Sequence, residues 1–186
     1  MSKGIKGGTI IAEDVLDLAD HEERLLDPDS YRPEECRNCG HDKIHAHCFR
    51  ERILREADPR EPPLRVDIRL FSCASCRAVF TILPAFIARH LWRAWETVER
   101  VARGEDLAPK ETMDRWFSRL ESDASQLVQV FTASVQGAVS DALLRRRPSA
   151  REAFIALVKP FLGRRSSLFA RLGAWIHRLE AGVRLM

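Results

Sequence analysis

A regular alternation of apolar and polar residues runs through the middle of the chain, from residue 64 to residue 71. On an extended backbone this pattern places apolar groups on one face and mostly charged groups on the other, as in a half-buried strand. The apolar members are Leu64, Val66, Ile68 and Leu70, and the alternate positions are Arg65, Asp67, Arg69 and Phe71. A second alternation, over residues 44–49, precedes it, and three prolines within residues 57–63 favour a loop between the two. We therefore predict a β-hairpin with a long connection.

Beyond this hairpin the apolar period becomes helical. Residues 84–103 carry apolar side chains at helical spacing and predict a first helix that Gly104 ends. Pro109 suits the first position of a second, long helix, whose apolar stripe continues to about residue 144. A straight helix of that length would span roughly 50 Å, so we expect a break near Gly137.

The two ends of the chain give weaker patterns. Acidic residues interrupt the apolar ones in the first 33 residues and permit only one short helix. In the tail we expect two short helices, over residues 154–162 and 168–183, that cover the stripe of the long helix. Three arginines spaced at seven should then stay exposed: Arg164, Arg171 and Arg178.

Together with Cys36, Cys39, Cys73 and Cys76, which flank the hairpin, these patterns predict an α+β protein. We expect a small N-terminal four-cysteine zinc ribbon built on the hairpin and a mainly α-helical domain after it. We expect an acidic segment over residues 1–33, the ribbon over 34–83, a helical region over 84–121 and a helical region with a basic tail over 122–186. With 45% hydrophobic residues in 186, the chain can bury a core and is not of disordered composition.

Charge is unevenly distributed along the chain. The net charge is +3, but residues 1–35 hold four Lys or Arg against ten Asp or Glu, whereas residues 140–186 hold ten against three. A basic tail suits a polyanionic partner, or pairing with the acidic end. No apolar run approaches the roughly 18 residues of a membrane span, and the acids near the N-terminus do not fit a signal peptide. We expect a cytoplasmic protein with no membrane association.

The strongest chemical signal is a pair of CxxC motifs. Cys36 and Cys39 form the first motif, and Cys73 and Cys76 form the second. Two intervening residues let both sulfurs of a motif converge on one side of a tetrahedral ion, and four thiolates suit Zn²⁺. The predicted hairpin would bring both motifs to one end, so we expect these four cysteines to bind zinc.

Other residues near the motifs leave the ligand set open. His41, His45, His47 or Cys48 could replace one cysteine. We interpret Cys48 as a small core residue, because it shares strand parity with Ile44, and the histidines as exposed strand residues.

A closed four-thiolate site has no open position for substrate, and it therefore stabilises the fold. The chain contains no phosphate-binding glycine loop, dinucleotide fingerprint or HExxH motif. We expect a protein that is not an enzyme. An iron-bound, rubredoxin-like electron carrier is disfavoured, because such a carrier would need only the ribbon.

Two segments resemble a known family. The stretch RLFSCASCRAVFTILPAF resembles the second knuckle of zinc ribbons at the N-terminus of bacterial insertion-sequence transposases, and ETMDRWF is similar to the helix that follows in those proteins. The likeness covers roughly residues 36–120. It implies DNA recognition by the ribbon and by a helix-turn-helix-like region over residues 84–121, with Zn²⁺ on the four cysteines. Only one clear helix precedes Pro109, and too few residues remain for the family's nuclease domain.

This resemblance favours a transposase-related accessory or regulatory DNA-binding protein. If Trp116 and Phe117 fix the buried face of the long helix, its basic residues Lys110, Arg115 and Arg119 turn outward and become the expected DNA contacts. A solvated helix face is the simpler interpretation, and the neighbouring acids support it. The alternative function is a protein–protein interaction module in which the zinc ribbon has only a structural role.

Overall fold

The computed structural model describes residues 7–55, 61–89, 91–102, 104–134 and 168–178. They belong to two compact units. The sheet unit comprises residues 1–56 and 61–94, and the helical unit comprises residues 57–60 and 95–186. The predicted break near Gly137, the first tail helix and Arg164 lie outside the described residues.

A four-stranded mixed sheet forms the centre of the sheet unit, in the order β1-β4-β3-β2. The strands are β1 (Gly8–Ala12), β2 (Ile44–Leu54), β3 (Leu64–Cys73) and β4 (Val79–Pro84). Strands β2 and β3 pair antiparallel, as do β3 and β4, whereas β1 runs parallel to β4. The predicted hairpin is confirmed, because β2 and β3 are its two arms.

The alternation along β3 explains which residues form the core. Val66 and Ile68 are buried as the pattern predicts, and Leu64 and Leu70 are half-buried. Phe71 was expected among the polar positions but is fully buried. The sheet is therefore covered on opposite faces near the two ends of β3.

The N-terminal segment contributes more structure than its sequence indicates. Besides β1 it forms helix α1 (Leu18–Leu25) and a 3-10 turn (Pro28–Tyr31). Asp17 caps α1 by accepting a hydrogen bond from the backbone N–H of Asp20 at 2.9 Å. The parallel partner of β1 lies some 70 residues away along the chain. No local sequence pattern predicts such a pairing.

The helix predicted over residues 84–103 is wrong in its first half. Residues 85–89 and 91–94 form turns and bends closed by an isolated antiparallel bridge between Ile87 and Ala94, and helix α2 spans only Trp95–Ala102. Phe86 and Ile87 are buried, but in the core of the sheet unit. A side chain from β2 supplies hydrogen bonds to the backbone carbonyls here: Arg52 donates to those of Ala88, Arg89 and Leu91. Apolar residues at helix-like spacing therefore pack in the core of the sheet unit here without forming a helix.

The helical unit contains α2, α3 (Lys110–Ser134) and α4 (Leu168–Arg178). Trp116, Leu120, Ala124 and Leu127 form the buried stripe of α3, in agreement with the predicted helix and with Trp116 as a core residue. Helix α4 contacts α2, where the rings of Trp95 and Phe169 meet edge to face at 6.2 Å. No described helix combines the length and apolar character that a membrane span requires.

The chain is thus an α+β protein with a four-stranded sheet, helices and a cluster of four cysteines.

Candidate metal centre

The two CxxC motifs form similar turns at one end of the β2–β3 hairpin. In the first turn the N–H groups of Cys39 and Gly40 donate to the carbonyl of Cys36, and in the second Arg77 N–H donates to the carbonyl of Cys73. The residue after each second cysteine is left-handed, with φ of 70° at Gly40 and 59° at Arg77. Glycine tolerates this conformation without cost, whereas a side chain does not. The equivalent turns present both sulfurs of each motif to a common centre.

Strand register brings the two turns together. Ile44, which follows the first motif, pairs with Cys73, which ends β3. The N–H of Ala74 donates to the carbonyl of Lys43 at 3.0 Å and links the turns directly. The expectation that the hairpin places both motifs at one end is therefore confirmed.

The four sulfurs lie at distances typical of ligands around one ion. Cys36 Sγ stands 3.6 Å from Cys76 Sγ, and Cys39 Sγ stands 3.6 Å from Cys73 Sγ. All four sulfurs lie within 4.8 Å of one another. A disulfide needs about 2.05 Å, so none of these pairs is bonded. At a Zn–S distance of about 2.3 Å, tetrahedral sulfurs stand about 3.8 Å apart, which is close to the two separations of 3.6 Å.

Burial and hydrogen bonding give the thiols different acidities. Burial raises the pKa of Cys36 to about 12. The pKa of Cys76 is lowered to about 6, chiefly because Asn38 Nδ2 donates to its sulfur at 3.3 Å. Cys76 therefore ionises more readily than Cys36, whose thiolate a bound cation would stabilise. Asn38 was not singled out from the sequence, although its position inside the first CxxC motif was a usable signal.

The neighbouring candidate ligands are placed elsewhere. His45 and His47 are exposed on β2, as predicted, and His41 Nδ1 accepts a hydrogen bond from the N–H of Lys43. Cys48 was expected in the core, and this was wrong because it is exposed. A register shift between Ala46 and Cys48 breaks the alternation of this edge strand. Among the residues described, the four CxxC cysteines are the one group of three or more potential ligands whose atoms converge.

The predicted DNA-contact residues lie in the helical unit. Lys110, Arg115 and Arg119 are exposed on α3, opposite the stripe formed by Trp116 and Leu120. Acids share the exposed face with them: Glu111, Asp114 and Glu121. The orientation agrees with the prediction, whereas DNA contact stays a prediction.

Comparisons with protein-family models, curated proteins and solved structures found no match to this chain. The resemblance to insertion-sequence transposases therefore stays a prediction.

Proposed function

We propose that the cysteine cluster binds one Zn²⁺ and that the sheet unit is a zinc ribbon extended by β1 and α1. The observation that carries this proposal is the convergence of four unbonded sulfurs within 4.8 Å of one another. Four thiolates would complete the coordination of Zn²⁺ and leave no position for a substrate. Zinc in this site would stabilise the fold without taking part in catalysis, and nothing in the cluster favours an enzyme.

We further propose that the sheet unit binds nucleic acid, with Zn²⁺ holding its fold. Charge supports this assignment for residues 36–94 of the unit, where the described residues hold ten Lys or Arg and four Asp or Glu, whereas residues 7–35 of the same unit hold two against ten. A surface with this excess attracts phosphates, and release of their counterions drives binding. A transposase-related accessory or regulatory role, without a nuclease domain, is the cellular function that the sequence resemblance favours.

Helix α3 is the second candidate surface. Its exposed face presents basic and acidic residues in nearly equal number, so it has no excess of positive charge. Phosphate contact by Lys110 or Arg119 would have to overcome repulsion from neighbouring carboxylates. We therefore assign the main nucleic-acid contact to the sheet unit.

The test is a salt series of nucleic-acid binding, measured by fluorescence anisotropy with labelled single-stranded and duplex oligonucleotides. We expect the logarithm of the affinity to fall linearly with the logarithm of the salt concentration, and binding to disappear after chelation of the metal. The Lys110→Ala, Arg115→Ala, Arg119→Ala triple variant should retain most of this binding. No binding at low salt would refute the proposal, and loss of binding in the triple variant would move the interface to α3.

A protein-interaction module is the competing function, and one observation favours it. Strand β2 is an edge strand whose residues from His45 to Glu51 are all exposed. Such edges accept an added strand from a partner chain. Binding of a partner protein that persists in high salt, together with no affinity for oligonucleotides, would favour this function.

A further inference from the structure

One tryptophan is presented to solvent on the sheet unit. Trp92 is 67% exposed, although it lies in a loop where Ile87, Ala88 and Arg93 are buried. The other large exposed apolar residues of the described chain lie in different surroundings. The Arg69 guanidinium covers the ring of Phe49 at 4.5 Å, and Leu26 lies in the acidic N-terminal segment. Trp92 thus presents a large aromatic surface that its own fold leaves open.

The backbone that carries Trp92 is held on both sides. The loop closes through the bridge between Ile87 and Ala94 and through the hydrogen bond from Ala88 N–H to the carbonyl of Arg93. Arg55, directly after β2, donates its N–H to the carbonyl of Trp92 at 2.7 Å. The loop backbone is therefore already ordered in the folded protein, so stacking of a ligand on this ring requires little further loss of backbone entropy.

Three arginines lie in or directly after the C-terminal half of β2, the strand that contacts the Trp92 loop. Arg52 uses its guanidinium to bind loop carbonyls at 2.8–3.1 Å. Arg50 shares its face of the strand, because these residues pair with Ile68 and Val66, two positions apart on β3. The pKa of Arg52 is lowered by burial and, in addition, by the charge of Arg50, which places the two cations close together. Arg55 is exposed beside the backbone of Trp92.

The acids of the hairpin lie on the opposite face. Glu51 and Asp67 pair with each other in register, out of phase with Arg50 and Arg52. Glu51 also forms an ion pair with Arg65 at 2.8 Å on that face. The face of β2 and β3 that carries Arg50 and Arg52 also carries the buried Val66 and Ile68 and has no acidic strand residue. Arg50 is the exposed cation of this face and can attract a polyanion.

We propose that Trp92, with Arg50 and Arg55, forms a stacking platform for an unpaired base of single-stranded nucleic acid. The proposal rests on the nucleic-acid-binding function proposed above. It specifies that the bound nucleic acid is single-stranded and that it binds at Trp92. An open aromatic ring can stack on any unpaired base, while arginines beside it contact the phosphates. Bases inside a duplex are already stacked on their neighbours, so the platform discriminates against double strands.

The experiment measures affinity for a labelled 12-nucleotide oligothymidylate and for a duplex of the same length, by fluorescence anisotropy on the full chain. Trp92→Ala should weaken single-strand binding about 5- to 150-fold, the loss expected for one stacked base. Trp92→Phe should keep most of the affinity because it retains a ring. Leu26→Ala removes an even more exposed apolar side chain from the acidic segment and should leave the affinity unchanged.

Charge is tested separately. Arg55→Gln should lower the slope of log affinity against log salt by about 0.7, the value for one phosphate contact to a single strand. Urea unfolding of each variant checks the fold, which should be unchanged because both side chains are exposed.

Each alternative outcome has a distinct meaning. If the unmodified protein binds no oligonucleotide, the proposed function itself fails, and the platform with it. If that protein binds but Trp92→Ala binds equally well, or if duplex and single strand bind alike, the platform is refuted while the function stands. A change in sedimentation of Trp92→Ala with unchanged oligonucleotide affinity would instead make Trp92 a self-association contact and overturn the proposal.

Discussion

Replacement of Arg52 by methionine should destabilise the sheet unit, because this one side chain organises the loop after β4. Its Nη2 donates to the carbonyls of Ala88 at 2.9 Å, Arg89 at 3.1 Å and Leu91 at 2.8 Å. Methionine retains most of the aliphatic stem and removes the donors. The variant therefore tests the hydrogen bonds with little loss of packing.

The magnitude follows from which carbonyls water can reach. Arg89 is exposed, so its carbonyl regains a water partner, while those of Ala88 and Leu91 lie in a partly buried environment. Two such carbonyls left without a partner cost about 2–6 kcal/mol. Burial lowers the pKa of Arg52, so removal of its charge returns part of that cost. We expect a net loss of about 2–4 kcal/mol in the free energy of unfolding.

Urea unfolding followed by circular dichroism measures this loss. With a typical dependence of the unfolding free energy on urea concentration, the urea concentration at the unfolding midpoint should fall by about 1–2 M. Arg50→Met is the matched control, since it removes the same charge from the same face at an exposed position, and it should change stability by less than about 0.5 kcal/mol. Equal effects of the two variants, or a loss below about 1 kcal/mol in Arg52→Met, would refute the hydrogen-bond account.

Three further predictions concern other buried contacts. Burial lowers the pKa of His21, whose ring nitrogens bond Tyr31 Oη at 2.7 Å and the carbonyl of Asp67 at 3.0 Å. The unfolded chain then binds a proton near pH 6.5 before the folded chain does, so unfolding free energy should fall as pH drops below 6.5, and His21→Gln should flatten this dependence in urea titrations. The buried Glu99 carboxylate accepts from Phe169 N–H at 3.2 Å at the start of α4, and Glu99→Ala should cost about 1–3 kcal/mol in thermal unfolding; an unchanged melting temperature would exclude this cap. A Cβ at Gly173 would lie 2.9 Å from Trp95 Nε1, so Gly173→Ala should destabilise the helical unit by about 1–3 kcal/mol, with a shift in tryptophan emission as the check.

The hairpin and the cysteine cluster were predictable because their signals are local and reinforce one another. Alternation in β3 requires an extended strand, and a CxxC motif at its end fixes where the strand must turn. The register from Ile44 to Cys73 then follows from joining the two motifs. The outward orientation of Arg115 was predictable for a similar reason, since Trp116 and Leu120 define the buried side of α3.

The errors arose where distant parts of the chain decide the structure. Strand β1 depends on its parallel partner β4, and five residues with no alternating pattern cannot reveal it. Residues 84–94 have helix-like spacing, yet Arg52 supplies the hydrogen-bond donors that a helix would have drawn from its own backbone. Cys48 was assigned to the core by parity, but a bulge and an edge position expose it. In each case the structure depends on contacts between residues that are distant in the sequence.

The zinc content of the purified protein and its cysteine variants tests the central claim most directly. Mass spectrometry of metals, on protein purified without chelator, should give about one zinc per chain for the unmodified sequence. Cys48→Ser should keep that equivalent, because Cys48 lies outside the cluster. Cys39→Ser should lose most of it, since three thiolates cannot complete the site. Less than about half an equivalent in the unmodified protein, or equal zinc loss in Cys48→Ser and Cys39→Ser, would contradict a zinc site formed by Cys36, Cys39, Cys73 and Cys76.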